Sequence, residues 1–266
     1  MVMGPTHAMS GAAAGLILPS MLPGMTATPA VSLSFAGVCA GAALLPDIDS
    51  PGSTVSRSLG PLTWGLSKVV NKVSWAFYSA TSGPKDNHRD GAHRTLTHTG
   101  AFAAVVSIGV TALTGWGGRY TVLAVLFFMA SLAIRGLLND WARNNGWIGI
   151  AAAAAVLTFA ASLTMPDAGQ GWLGLAVGIG IVLHDAGDAI TKNGCAFLAP
   201  LVPIHGKRWW EFALPGPLRI TAGGWAEKVL LLPALTAVTL VLVIQVFPIG
   251  QQATTAVWDA ATGLFA

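Results

Sequence analysis

The sequence predicts an all-α, polytopic membrane protein of about seven transmembrane helices plus one amphipathic helix on the cytoplasmic surface. Three observations lead there. Only 9% of the 266 residues are charged and 53% are hydrophobic, with a mean hydropathy of +0.64, whereas a soluble domain carries roughly 25% charged residues. The few charges sit between long uncharged stretches, most of which reach the ~17 residues or more that a spanning helix needs. Finally, thirteen of the fourteen Lys and Arg fall on alternate loops. Ten Trp and ten Phe exclude a disordered chain. The two cysteines, Cys39 and Cys195, form neither a disulfide framework nor a Cys-x-x-Cys metal pair.

The elements follow in order. No Asp, Glu, Lys or Arg precedes Asp47, and Pro19, Pro23, Gly24 and Pro29 break that apolar leader into spans near 8–23 and 30–46. The first is short for a full crossing. Uncharged stretches at 99–118, 120–134, 144–166, 168–184 and 229–258 supply five more spans, near 98–118, 120–138, 147–165, 171–191 and 228–248. The one at 120–134 reaches spanning length when Arg119 and Arg135 snorkel to the interfaces. The segment 62–79 differs in kind. Leu62, Leu66, Val69, Val70, Val73 and Phe77 recur at helical spacing, with Trp64, Trp75 and Tyr78 as interfacial aromatics, which predicts an amphipathic helix lying on the membrane. A soluble helix packed on its neighbours is the alternative. All of this makes a single integral membrane domain over residues 1–266.

Alternating seven spans places the N-terminus and loops 47–97, 135–146 and 192–228 on one side. Only Arg119 of the basic residues is left opposite. Basic residues near span ends mark the cytoplasmic face, so that side is expected to be cytoplasmic. The basic pI of about 9.1 is therefore a topology signal. It calls for no nucleic acid, although the same face attracts anionic lipid headgroups. A secretory signal peptide is not expected, because its basic n-region is missing.

All six His and nine of the eleven acids also fall on that face, with Asp167 and Asp259 the exceptions. Several sit at span ends: His7 before the first, Asp47 and Asp49 after the second, His93 and His98 before the third, and His184, Asp185 and Asp188 closing the sixth. Ionisable groups at membrane depth are costly and usually functional. His184 and Asp188 are i, i+4, about 40° apart on a helix, so both reach one metal ion. His93 and His98 are i, i+5, so one must lie in the incoming loop, with Thr95 or Thr97 capping the helix. Asp47 and Asp49, in an extended exit, point opposite ways. They serve two metals, or one ligates while the other orients a His. Mixed His/Asp sets without Cys suit zinc, manganese or iron. Each residue also has a plain structural reading: Asp47 as a turn cap, Asp188 paired with Lys192, Arg94 as a headgroup anchor, His88 and His205 as solvated loop residues.

Taken together, Thr6-His7-x3-Gly11, Leu45-Pro46-Asp47-Ile48-Asp49, His93-Arg94-x2-Thr97-His98 and His184-x3-Asp188-x2-Thr191-Lys192-x-Gly194 resemble the LexA-binding, inner-membrane-associated hydrolase family. Arg219-Ile220-Thr221-x-Gly223 and Glu227 resemble its C-terminal pattern. The resemblance covers about residues 3–230 and implies an inner-membrane, metal-dependent hydrolase. More distantly, the His…Asp…His-x3-Asp order is similar to zinc-dependent phospholipase C and related nucleases, although a second His-x3-Glu is missing.

The expected activity is hydrolysis of a phosphoester in a lipid or amphiphile at the cytoplasmic face, with amidase or peptidase chemistry as a variant. The expected ligands are His7, Asp47, Asp49, His93, His98, His184 and Asp188, holding zinc (or Mn or Fe), with room for two or more ions. Arg94, Lys192 and Arg219 are expected to bind substrate, and Asp49, Arg94 and Asp188 to act in catalysis. A transporter of metal ions or protons and a purely structural metal site are the competing classes.

Overall fold

The computed structural model describes residues 2–86, 93–165, 170–248 and 252. Among them the chain is all-α, with seven helices: α1 (Gly4–Met21), α2 (Pro29–Ala42), α3 (Pro61–Thr81), α4 (Gly100–Leu137), α5 (Asn139–Thr164), α6 (Leu173–Ala189) and α7 (Leu232–Val246). Four segments are long and apolar enough to cross a membrane: Pro29–Asp49, Gly100–Leu137, Asn139–Thr164 and Ala226–Val246. The tail beyond 250 lies outside the described residues apart from Gln252.

Local chemistry sets the boundaries. Pro29 opens α2 behind Thr28, whose hydroxyl accepts the Val31 N–H at 3.3 Å. The third span begins differently from expectation. Thr99 caps α4 by accepting the Phe102 N–H at 3.1 Å, while Leu96–His98 form a 3₁₀ turn ahead of the helix. Both His93 and His98 therefore precede α4, and neither Thr95 nor Thr97 is its cap. Their hydroxyls are drawn elsewhere, to the Ser74 carbonyl and the Asp49 carboxylate.

The run Gly100–Leu137 is one helix by sequence order only. A straight helix of 38 residues would hold its ends about 57 Å apart, yet both ends meet the same region. A Cβ on Gly136 would touch Leu44 and Ala8, and His98, just before α4, lies 3.8 Å from Asp47. The chain reverses at Gly118, where φ is +55°, between the two spans the sequence predicts. A second break at Gly146 (φ +64°) separates an interfacial lead-in from the apolar part of α5.

Small residues let these helices close on one another. Gly11 and Gly15 lay α1 against the α2 backbone, where an added Cβ would stand 2.4 Å from the carbonyl oxygens of Cys39 and Phe35 respectively. The core that results, around Phe35, Leu44, Ile48, Leu132, Leu173 and Ile181, holds the ends of α1, α2 and α6 at a common level.

Helix α3 matches its predicted extent, and its burial is inverted relative to a soluble helix. Leu62, Val69 and Val73 are 68%, 58% and 52% exposed, whereas Thr63, Ser67 and Ser74 are fully buried. The small polar stripe faces the protein and the apolar stripe faces outward, as an interfacial helix requires.

Candidate metal centre

Four chain segments deliver the polar cluster. His7 comes from the first turn of α1, Asp47 and Asp49 from the 3₁₀ turn Leu45–Asp49 after α2, His93 to His98 from the approach to α4, and His184 and Asp188 from the last turns of α6. The turn replaces the extended exit expected after α2, and it gives the two aspartates different tasks. Asp49 is fully buried and its oxygens accept from His93 Nδ1 (2.7 Å), the Arg94 N–H (3.2 Å) and the Thr97 hydroxyl (2.7 Å). Asp47 Oδ1, in contrast, is buried without a hydrogen-bond partner. It lies 3.8 Å from both His98 Nε2 and His184 Nε2. Of the two sequence-level alternatives, the geometry favours Asp49 orienting a histidine and Asp47 offering a ligand oxygen.

The hydrogen-bond partners also assign the imidazole tautomers. His184 Nδ1–H donates to the Ala43 carbonyl at 2.8 Å. Thr97 spends its proton on Asp49, so its oxygen accepts from His98 Nδ1–H at 3.0 Å. Both rings therefore carry their lone pairs on Nε2, and these two atoms face each other at 3.2 Å. Two lone pairs at that distance repel unless a cation stands between them. Asp188 Oδ2 approaches the same point, 3.8 Å from His98 Nε2 and 4.0 Å from His184 Nε2. Tetrahedral coordination at ~2.0–2.2 Å sets ligand–ligand edges of roughly 3.3–3.6 Å. The donor set thus fits a divalent ion with little movement.

Two groups of three are close enough to hold an ion: His7, His184 and Asp188, all buried, and Asp47, His93 and His98. His7 stacks on His184 with centroids 3.9 Å apart, and its Nε2 lies 3.4 Å from Asp188 Oδ1. Gly187 leaves that space, since a Cβ there would stand 2.9 Å from the His7 ring. Asp49 belongs to neither group, and neither does the buried Asp185.

Electrostatics divide the histidines outside the helices. Burial disfavours charge on His93, but the Asp49 hydrogen bond and carboxylate outweigh it and raise its pKa. His98 is pushed well below the ordinary imidazole value by burial and then by His184. It is therefore neutral and ready to donate its lone pair.

The predicted substrate cations are placed unequally. Arg94 Nη2 donates to Asp188 Oδ2 and to the Gly194 carbonyl, both at 2.7 Å, so Asp188 pairs with Arg94 and not with Lys192. Lys192 and Arg219 are exposed, and the Arg219 guanidinium bonds to the Leu214 carbonyl. His205 is exposed as expected, and His88 lies outside the described residues. Sequence reasoning passed over Asn71, whose side-chain amide donates to the Asp49 carbonyl at 2.7 Å. The small-polar stripe of α3 was its only signal. It also passed over the N-terminal strap, in which the Val2 N–H donates to Asp188 and the Met3 N–H to the buried Glu227.

The model of one family, described as YdjM inner membrane protein, matches residues 1–254 of this chain, nearly its whole length and every segment of the cluster. The chain belongs to the YdjM inner membrane protein family. This bears out the inner-membrane family read from the motifs. The YdjM match covers the stretch from His7 to Asp188 and the C-terminal Glu227 alike. No curated relative and no solved structure matches the chain. As an inner-membrane YdjM protein with several helices able to span, it carries buried His/Asp groups that could hold metal.

Proposed function

We propose that the chain is a metal-dependent hydrolase of the inner membrane that cleaves a phosphoester in a lipid or amphiphile at the cytoplasmic face. The observation that carries this reading is the facing pair His98 Nε2 and His184 Nε2, 3.2 Å apart, with Asp47 and Asp188 beside them. A divalent ion bound there, zinc by preference and manganese or iron as alternatives, supplies Lewis-acid polarisation of a phosphoryl oxygen and acidifies water. Divided instead as His7, His184 and Asp188 on one side and Asp47, His93 and His98 on the other, the same donors accommodate two ions. Asp49 positions His93, and Arg94 holds Asp188 while presenting charge to a substrate anion. Lys192 and Arg219 provide further cations on the same face. Substrate approaches past His93 and Arg94, whose side chains are 35% and 14% accessible, because the deeper ligands are closed off. The site stands at helix ends, whereas transport sites sit near the bilayer midplane on broken helices.

Metal-loaded protein is expected to hydrolyse phospholipid or lipid-linked phosphate and to lose that activity with a chelator. An inactive metal-loaded protein that instead carries metal ions across vesicle membranes would overturn the reading in favour of transport.

The fold supports the same proposal for topology. Seven crossings arise from α1, α2, the two halves of α4 about Gly118, α5, α6 and α7, with the cluster end on the basic side. Arg119 donates to the Ser162 carbonyl at the other end. The positive-inside rule makes the cluster side cytoplasmic. Asp86→Cys is therefore expected to resist a membrane-impermeant thiol reagent in intact cells and to react after permeabilisation. The native Cys39 and Cys195 are buried and give little background. Labelling from outside would reverse the topology.

A further inference from the structure

Beside the His/Asp cluster, and sharing no residue with it, lies a second concavity of about 840 Å³, lined by Arg57, Arg135 and Arg143 together with Thr54, Trp64 and Trp147. Its wall is closely built. Gly60, at φ +58°, packs so tightly on Trp147 that a Cβ there would stand 2.8 Å from the indole. Arg135 Nε–H donates to the Thr54 carbonyl at 3.2 Å, and Lys68 Nζ sits 3.4 Å over the Trp64 ring. Among the described residues none of the three arginines pairs with a carboxylate. Cations gathered without a counter-charge at a membrane surface call for an anion of matching geometry, and guanidinium and phosphate match.

An apolar groove of about 580 Å³ lies between α2, α4 and α5, lined by Leu33, Leu126, Ala130, Leu137 and Leu157 among others. Ile134 and Leu138 line the groove, while their chain neighbours Arg135 and Asn139 line the arginine pocket. The two therefore adjoin the same α4–α5 junction, with charge in one and apolar surface in the other. This is the polarity of a phospholipid.

We propose that Arg57, Arg135 and Arg143 bind the headgroup phosphate of an anionic phospholipid whose acyl chain lies in the groove between α2, α4 and α5. The site is separate from the metal centre and does not depend on the hydrolase reading. The occupant is a membrane lipid because the groove offers nothing to a soluble phosphate.

Full-length protein in nanodiscs of mixed phosphatidylglycerol and phosphatidylcholine is the test, with retained lipid counted by native mass spectrometry. Wild type should retain phosphatidylglycerol preferentially. Each neutralised arginine should cut that preference about fivefold, the scale of one basic residue at an anionic surface. The triple variant R57Q/R135Q/R143Q should lose it, with an unchanged melting temperature and helical circular dichroism as the sign of an intact fold. R143Q alone, at an exposed position, gives the same reading should the triple variant not fold. Unchanged preference in R143Q and in a folded triple variant would overturn the proposal. So would full displacement of the lipid by millimolar inorganic phosphate, which would mark a free-anion site.

Discussion

Asp188→Ala is expected to strip the metal and abolish hydrolysis, the largest functional loss of any single change in this chain. Asp188 is fully buried on the last turn of α6. One oxygen meets the Val2 N–H and His7, the other meets Arg94 and lies near His98 and His184. Loss of a residue that only supports a ligand costs ~10–100-fold in metal affinity, so loss of a ligand should exceed that. The substitution also leaves Arg94 without its carboxylate, and breaking a buried pair from one side costs about 3–5 kcal/mol. Asp188→Asn keeps the shape and part of the hydrogen bonding, so it should unfold at a higher temperature than the Ala variant while still binding metal poorly. Arg94→Ala leaves every proposed ligand in place, so its metal affinity should fall only by the ~10–100-fold of a lost supporting partner. At saturating metal its KM should rise, because the substrate anion has lost a cation. Elemental analysis beside thermal unfolding and phosphodiesterase assays of the three proteins separates ligand, partner and substrate roles. An Asp188→Ala protein with full metal content and activity would remove Asp188 from the centre.

The second large effect is expected at a residue with no side chain. Gly11→Leu forces a side chain into a space where even a Cβ stands 2.4 Å from the Cys39 carbonyl oxygen. Overpacking of a tight core costs typically 1–3 kcal/mol, and here the obstacle is backbone, which cannot rotate away. Because α1 carries His7 and α2 leads to Asp47, prising them apart also spreads the ligands. Melting temperature and metal content should therefore fall together. Gly37→Ala is the control. A Cβ at that position meets nothing within 4 Å, and replacing a helical glycine should leave stability unchanged or raise it by about 0.5–1 kcal/mol. If Gly11→Leu melts like wild type, the close α1–α2 contact is not what holds the site together.

Much of this molecule is legible along the chain because the bilayer imposes its demands locally. Uncharged runs mark where helices lie, Pro23, Gly24 and Pro29 mark where the first two part, and the one-sided distribution of Lys and Arg orders the loops. The breaks at Gly118 and Gly146, in contrast, are seen only in the backbone. The concentration of His and Asp at span ends is equally visible, since polar groups at membrane depth need a reason to be there. The extent of α3 follows from its apolar period. The outward apolar face is the one the surface-helix reading expects, but that the inward polar face carries Asn71 to the Asp49 carbonyl is not legible in the sequence.

What tertiary structure alone decided is the division of labour within the cluster. Asp47 and Asp49 are the same residue type two positions apart. Only the 3₁₀ turn after α2 sends one to His93, Arg94 and Thr97 and leaves the other facing His98 and His184. The choice of Arg94 over Lys192 as the partner of Asp188 depends on a loop ninety-four residues earlier. Thr99 becomes the cap of α4 because Thr97 is already committed to Asp49. Hydropathy and helix signals are properties of short windows and survive any packing. The pairing of donors drawn from four distant segments has no local signature, because it is fixed by how closely small-residue helix faces allow the backbones to approach.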